Sequence, residues 1–172
     1  MLSARALLTL LLACAWGLPC VGCGGAAPPA ADAPAPTADA PAAAESPAAR
    51  CLALAAAPRE RRPGEPPRIG VKHVLVRHAN AERAEGATRT REEACLRAME
   101  ARDKLGAGAE FSKIVEEYSD EAGAASREGS LGAIERGDVL PPFADAAFDL
   151  EVNQLSDVIE TKYGFHLILR TE

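Results

Sequence analysis

Positive charge is in deficit in this chain: 19 Lys and Arg stand against 25 Asp and Glu over 172 residues, a formal charge of -6. The first 67 residues carry five side chains of each sign, so the excess acid falls on residues 68–172. A surface without a basic field has little to neutralise phosphates, which argues against nucleic acid as a partner. Long apolar runs are also scarce. The stretch from Ala6 to Val21 is broken by Pro19 and falls short of the roughly 20 apolar residues that a membrane-crossing helix needs. Of five cysteines, Cys14, Cys20 and Cys23 fall in the first 23 residues; only Cys51 and Cys95 lie beyond them, forming neither a CxxC pair nor a zinc-ligand spacing. They suit a disulfide in an oxidising compartment or two free thiols equally well.

What is present divides the chain in three. Residues 1–23 have the layout of a secretory signal: Arg5, then the apolar Ala6–Ala13, then small residues before a cysteine. Val21-Gly22-Cys23 resembles the end of a bacterial lipoprotein signal, which makes Cys23 the candidate acylation site; simple secretion is the alternative. Residues 24–67 read as a disordered linker. Between residues 26 and 49 there are 13 alanines, 6 prolines and no aromatic residue, and prolines at that density interrupt any helix alanine would favour. Cys51–Ala55 alone has the makings of a helical turn, before Arg59–Pro67 returns to linker chemistry.

Residues 68–172 carry the periodicities of a folded domain. Alternation over Val71–Arg77 predicts a strand with His73, Leu75 and Arg77 on one face and Val74, Val76 and His78 on the other. Thr90-Arg91-Glu92-Glu93 is a capping box opening a helix that ends near Gly106. Phe111, Ile114, Val115 and Tyr118 mark a second short helix. A loop over 123–132, a short strand near 131–135, a helix starting at Pro141-Pro142 and two closing strands around 157–161 and 165–170 complete the order. That order predicts an α+β domain with a small, mostly antiparallel sheet.

Six segments occur in a telling sequence: Lys72-His73-Val74-Leu75-Val76, Tyr118-Ser119-Asp120, Gly129-Ser130-Leu131-Gly132, Pro142-Phe143-Ala144-Asp145-Ala146-Ala147-Phe148, Thr161 and Tyr163-Gly164-Phe165-His166-Leu167-Ile168. Together they resemble the parvulin family of peptidyl-prolyl cis-trans isomerases, and among its members the phosphoserine/threonine-proline-directed type. The resemblance implies a four-stranded sheet surrounded by four helices and an enzyme without cofactor or metal. It further implies that His73 and His166 meet in a hydrogen-bonded network with Thr161, and that Leu131, Val139 and Phe143 line a proline pocket.

Departures from the family pattern modify these expectations. Val139 stands where many relatives have Met, and Leu140 replaces a polar Gln at a substrate-binding position. Glu121 occupies a place held by Cys or Asp in relatives; it is the fourth candidate catalytic residue, expected to stay charged beside the substrate amide. Arg77 and Arg83 match two members of a phosphate-binding cluster, whereas Glu82 replaces a third, so at most a weak preference for acidic residues before proline is expected. For His73 and His166, an architectural role linking two strands and a chemical role stand side by side. The expected partners are Xaa-Pro segments of unfolded or extended secreted and envelope proteins, with a lipid anchor holding the domain in the periplasm. A peptide-binding module without turnover is the competing class.

Overall fold

The computed structural model describes residues 46–172. The leader, Cys23 and the first part of the linker lie outside the described residues. In chain order the elements are helix α1 (Pro47–Ala55), strand β1 (Arg68–Val76), helices α2 (Arg91–Gly106) and α3 (Phe111–Tyr118), strand β2 (Ser130–Glu135), helix α4 (Pro141–Asp149) and strands β3 (Ile159–Thr161) and β4 (Gly164–Arg170). The strands form one sheet in the order β2-β1-β4-β3, with every neighbouring pair antiparallel.

Because side chains alternate along a strand, the two faces of β1 and β4 belong to different cores. Val74, Val76, Phe165 and Leu167 point toward α2 and α3, joining Ala94, Ala98, Ala101, Ile114, Val115 and Tyr118 in one dry cluster. Ile69, Val71, Ile159 and Ile168 point the other way and pack against Phe143, Ala147 and Phe148 of α4. Small alanines along α2 let it lie close to the sheet. The capping box forms in full: Glu93 N donates to Thr90 Oγ1 (3.1 Å) and Thr90 N donates to the Glu93 carboxylate (2.8 Å).

The linker expectation needs correction over its second half. Pro47 sits at the first turn of α1, where its missing N–H costs nothing, and Ser46 caps the helix by accepting from Ala49 N at 3.1 Å. Cys51 and Ala55 are buried against the domain, and Cys51 forms a disulfide with Cys95 of α2. The paired alternative for the two thiols therefore holds here. The stretch after α1 is also tied down, through Arg62 to Asp149 and Glu65 to Arg136. What reads as tether chemistry in sequence is an ordered strap from residue 46 onward.

Candidate active site

Register brings the two histidines together. Leu75 pairs with His166 and His73 pairs with Ile168 across β1 and β4, so all four side chains share the α4 face. The histidines are 4% and 5% exposed, and their rings stack at 5.7 Å between centroids. Gly129 secures the backbone behind His73. Its carbonyl accepts from His73 N at 2.8 Å, its φ is +74°, and a Cβ there would lie 2.4 Å from the His73 carbonyl oxygen, so only glycine fits.

A chain of hydrogen bonds runs through the pair. Tyr163 N donates to Thr161 Oγ1 (3.2 Å), Thr161 Oγ1 meets His166 Nε2 (2.7 Å), the two Nδ1 atoms are 3.4 Å apart, and His73 Nε2 meets Glu121 Oε2 (2.8 Å). One assignment satisfies every atom without placing a cation among the buried rings. The Thr161 hydroxyl donates to His166 Nε2, His166 Nδ1–H donates to His73 Nδ1, and His73 Nε2–H donates to the Glu121 carboxylate. Burial, with the Arg77 cation acting in the same direction, pushes the His166 pKa down to about 3, so this ring is neutral at ordinary pH. The hydrogen bond from His73, together with Arg127, holds the Glu121 carboxyl below its usual range despite partial burial.

Beside the histidines lies a cavity of about 360 Å³, lined by His73, Leu131, Val139, Leu140, Phe143, Thr161, Tyr163 and His166 together with Gly137 and Asp138. Phe143 meets both imidazoles edge-on, at 5.8 and 5.4 Å. A mostly apolar hollow with polar groups on one wall suits a small ring attached to an amide.

Of the residues singled out from sequence, seven line this cavity: His73, His166, Thr161, Leu131, Val139, Leu140 and Phe143. Glu121 stands behind His73, its Oε2 shared between that ring and Arg127. Its lowered pKa keeps the carboxylate charged, and that charge is engaged with the histidine chain and Arg127, outside the lining of the cavity. Arg77 and Arg83 lie outside the cavity. Arg77 borders a neighbouring depression with Glu85, Arg89 and Asp120, and its Nε is buried without a partner. The Arg83 guanidinium sits 5.6 Å over the Tyr163 ring, so it touches a cavity wall from outside. His78 is buried near Phe165 on the opposite face.

Sequence reasoning missed Tyr163 as a wall and Arg127 as the partner of Glu121. In the sequence Tyr163 only opens the segment that carries His166, with no role of its own. Its place two residues beyond Thr161 in a tight β3–β4 hairpin is the signal that puts both on the same rim. Arg127 carries no signal, since a single-turn 3-10 segment, Ala125–Arg127, delivers it.

The model of the rotamase, PPIC-type PPIase domain family matches residues 73–172. The chain is 34% identical over 106 residues to a foldase protein PrsA of Geobacillus kaustophilus, covering 62% of this chain and 32% of that one. It is 39% identical over 111 residues to a putative peptidyl-prolyl cis-trans isomerase, dodo, of Drosophila melanogaster, covering 61% and 66%. The solved structure of the peptidyl-prolyl isomerase ESS1 from Candida albicans superposes with a TM-score of 0.57 at 29% identity, over 62% of this chain and 63% of that one. The chain spans between 22% and 33% of the length of the first PrsA foldases it matches.

Proposed function

This chain belongs to the PPIC-type peptidyl-prolyl cis-trans isomerase family, the parvulins, and on that premise we propose that it rotates Xaa-Pro bonds of extended client chains without a covalent intermediate. The observation carrying this reading is the cavity of Leu131, Val139, Leu140 and Phe143 set directly against the His73–His166 pair. Rotation about a prolyl amide faces a barrier of about 18–20 kcal/mol because conjugation is lost. No substrate bond between heavy atoms is broken, so preferential binding of the twisted amide suffices, at about 1.4 kcal/mol per factor of ten.

All four imidazole nitrogens have partners within the chain of hydrogen bonds. This favours the architectural role for the pair: a rigid polar wall, pre-set against a greasy floor, in place of a proton shuttle. Thr161 and Glu121 fix the two ends of that wall. The proline ring occupies the apolar side, and the amide, whose charge distribution changes on twisting, lies along the imidazole side.

For the residue before proline we favour little selectivity. The depression bearing Arg77 and Arg89 also holds Glu85 and Asp120, and Arg89 is already paired with Asp120 at 2.7 Å. Glu82 adds a carboxylate, engaged with Lys162 at 3.0 Å. Opposed charges leave little net field for a phosphate dianion. The proposed clients are secreted or envelope proteins, and the proposed location is the periplasmic side of a bacterial envelope, held by lipid on Cys23. The leader sequence supports this, as does the Cys51–Cys95 disulfide, which suits an oxidising compartment.

An isomerisation assay on peptides with glutamate, phosphoserine or a neutral residue before proline tests the activity and its preference. Comparable acceleration of all three is expected; a phosphoserine substrate favoured a hundredfold would overturn the selectivity, and tight peptide binding with no acceleration would favour the binding module. A mature protein whose mass shows an unmodified N-terminus elsewhere than Cys23 would overturn the anchor.

A further inference from the structure

The strap ahead of the matched family domain reaches the helix that floors the cavity directly through Arg62 and, through Glu65, by way of Arg136. Arg62 donates from Nε to Asp149 Oδ1 (2.7 Å) and from Nη2 to the Asp149 carbonyl. This sets a cation on the C-terminal end of α4, where carbonyls lack partners and the helix dipole is negative. Three residues later Glu65, its side chain only 7% exposed, receives the fork of Arg136: Nε to Oε1 at 2.8 Å and Nη2 to Oε2 at 2.6 Å. Arg61 bonds the same carboxylate at 2.7 Å.

Arg136 has a third bond, from Nη1 to Asp145 on α4 at 2.5 Å, and its guanidinium lies 5.2 Å over the Phe148 ring of the same helix. It also opens the turn Arg136–Asp138. The next residues, Gly137 to Leu140, form one wall of the cavity, and Phe143 of α4 forms its floor. One planar cation thus joins strap, wall and floor. All five N–H groups of a guanidinium point in fixed directions, so a fork held by a carboxylate fixes the orientation of the third bond as well.

We propose that Glu65 and Arg136 are positioning residues of the Xaa-Pro cavity, Glu65 locking the guanidinium that sets the Val139–Leu140 wall against Phe143. This rests on the isomerase reading above. The strap segment is then a working part of the substrate site although it precedes the matched domain. The histidine chain hangs from β1, β3 and β4 and is untouched by this brace. Loosening the brace weakens the grip on the ring and leaves the rotation step of bound substrate largely intact.

The test compares Glu65→Gln, Arg136→Lys and Tyr118→Phe in the full chain. Tyr118→Phe removes a bond to Glu100 on the opposite side of the sheet and serves as the control for a merely structural effect. Steady-state isomerisation of an Ala-Ala-Pro-Phe peptide is measured with titration of the same peptide followed by NMR. For Glu65→Gln and Arg136→Lys the proposal expects KM and Kd to rise about tenfold with kcat within about twofold, and for Tyr118→Phe no change in either. Lysine keeps the charge without the fork, so rescue by Arg136→Lys would overturn the proposal. So would an unchanged KM and Kd in Glu65→Gln, or equal falls in kcat across all three variants. If the wild-type chain binds the peptide but does not turn it over, the isomerase reading fails, and the Kd comparison still decides the role of the brace. A wild-type chain that neither binds nor turns over the peptide would end both.

Discussion

The two faces of the sheet are built from the same two central strands and treat polar atoms oppositely. Toward α2 and α3, β1 and β4 present Val74, Val76, Phe165 and Leu167, all fully buried in a cluster that the Cys51–Cys95 disulfide closes from outside. Toward α4, the same strands present Val71 and Ile168 at one end and His73, Leu75 and His166 at the other. Helix α4 covers the first end and leaves the second bordering a cavity. Closure by helices stabilises one face, and partial closure creates a site on the other. Polar rings survive burial there because each nitrogen has a partner.

The contrast is broken most sharply on the closed face. Phe165→Ala removes a ring with no exposed surface and is expected to cost about 3–5 kcal/mol, measured by urea unfolding, while the folded fraction keeps its KM. Breaking the disulfide with Cys51→Ser opens a loop across 44 positions of sequence; a loss on the order of 2–4 kcal/mol is expected, again without change in kcat. On the open face the balance reverses. His166→Leu strands Thr161 and His73 without their partner, which costs about 1–3 kcal/mol in stability. It should lower the isomerisation rate by more than tenfold. Equal losses of rate from Phe165→Ala and His166→Leu would erase the distinction between the faces.

Acid sharpens the comparison further. His166 titrates near 3 in the fold against a usual value of 6.5, so the unfolded chain binds the extra proton between those values and stability rises with pH across that window. Glu121 acts in the same direction: its lowered pKa contributes stability above its ordinary value that is lost as pH falls through the folded one. The expected slope from His166 is at most about 1.4 kcal/mol per pH unit, read from thermal midpoints between pH 3.5 and 6.5. His166→Leu should flatten it, whereas Phe165→Ala should leave it in place.

Period-two alternation made the shared face of His73 and Leu75 legible, and the capping box at Thr90–Glu93 fixed the start of α2, because both depend on residues close in sequence. Pro141-Pro142 announced the helix that carries Phe143, whereas the place of Phe143 in the cavity came from the family resemblance. Contacts made across long separations left no such trace. Glu65 and Arg136 lie 71 positions apart, and nothing in the spacing of either announces the other. Cys51–Ala55 was legible as a helical turn, but the start of helix α1 escaped for a local reason: a proline is read as a breaker, yet at the first turn Pro47 removes only a donor that has no partner there. Arg127 came to Glu121 through a short 3-10 turn without periodicity.

The central claim is that the hollow between Phe143 and the paired imidazoles holds a prolyl ring and favours the twisted amide. Exchange NMR on an Xaa-Pro peptide, with the full chain at catalytic concentration, measures this directly through the cis-trans interconversion rate, which uncatalysed takes tens to hundreds of seconds. Acceleration of at least a hundredfold is expected, abolished when Phe143→Ala empties the hollow. An interconversion rate equal to that of the free peptide, or one indifferent to Phe143→Ala, would contradict it.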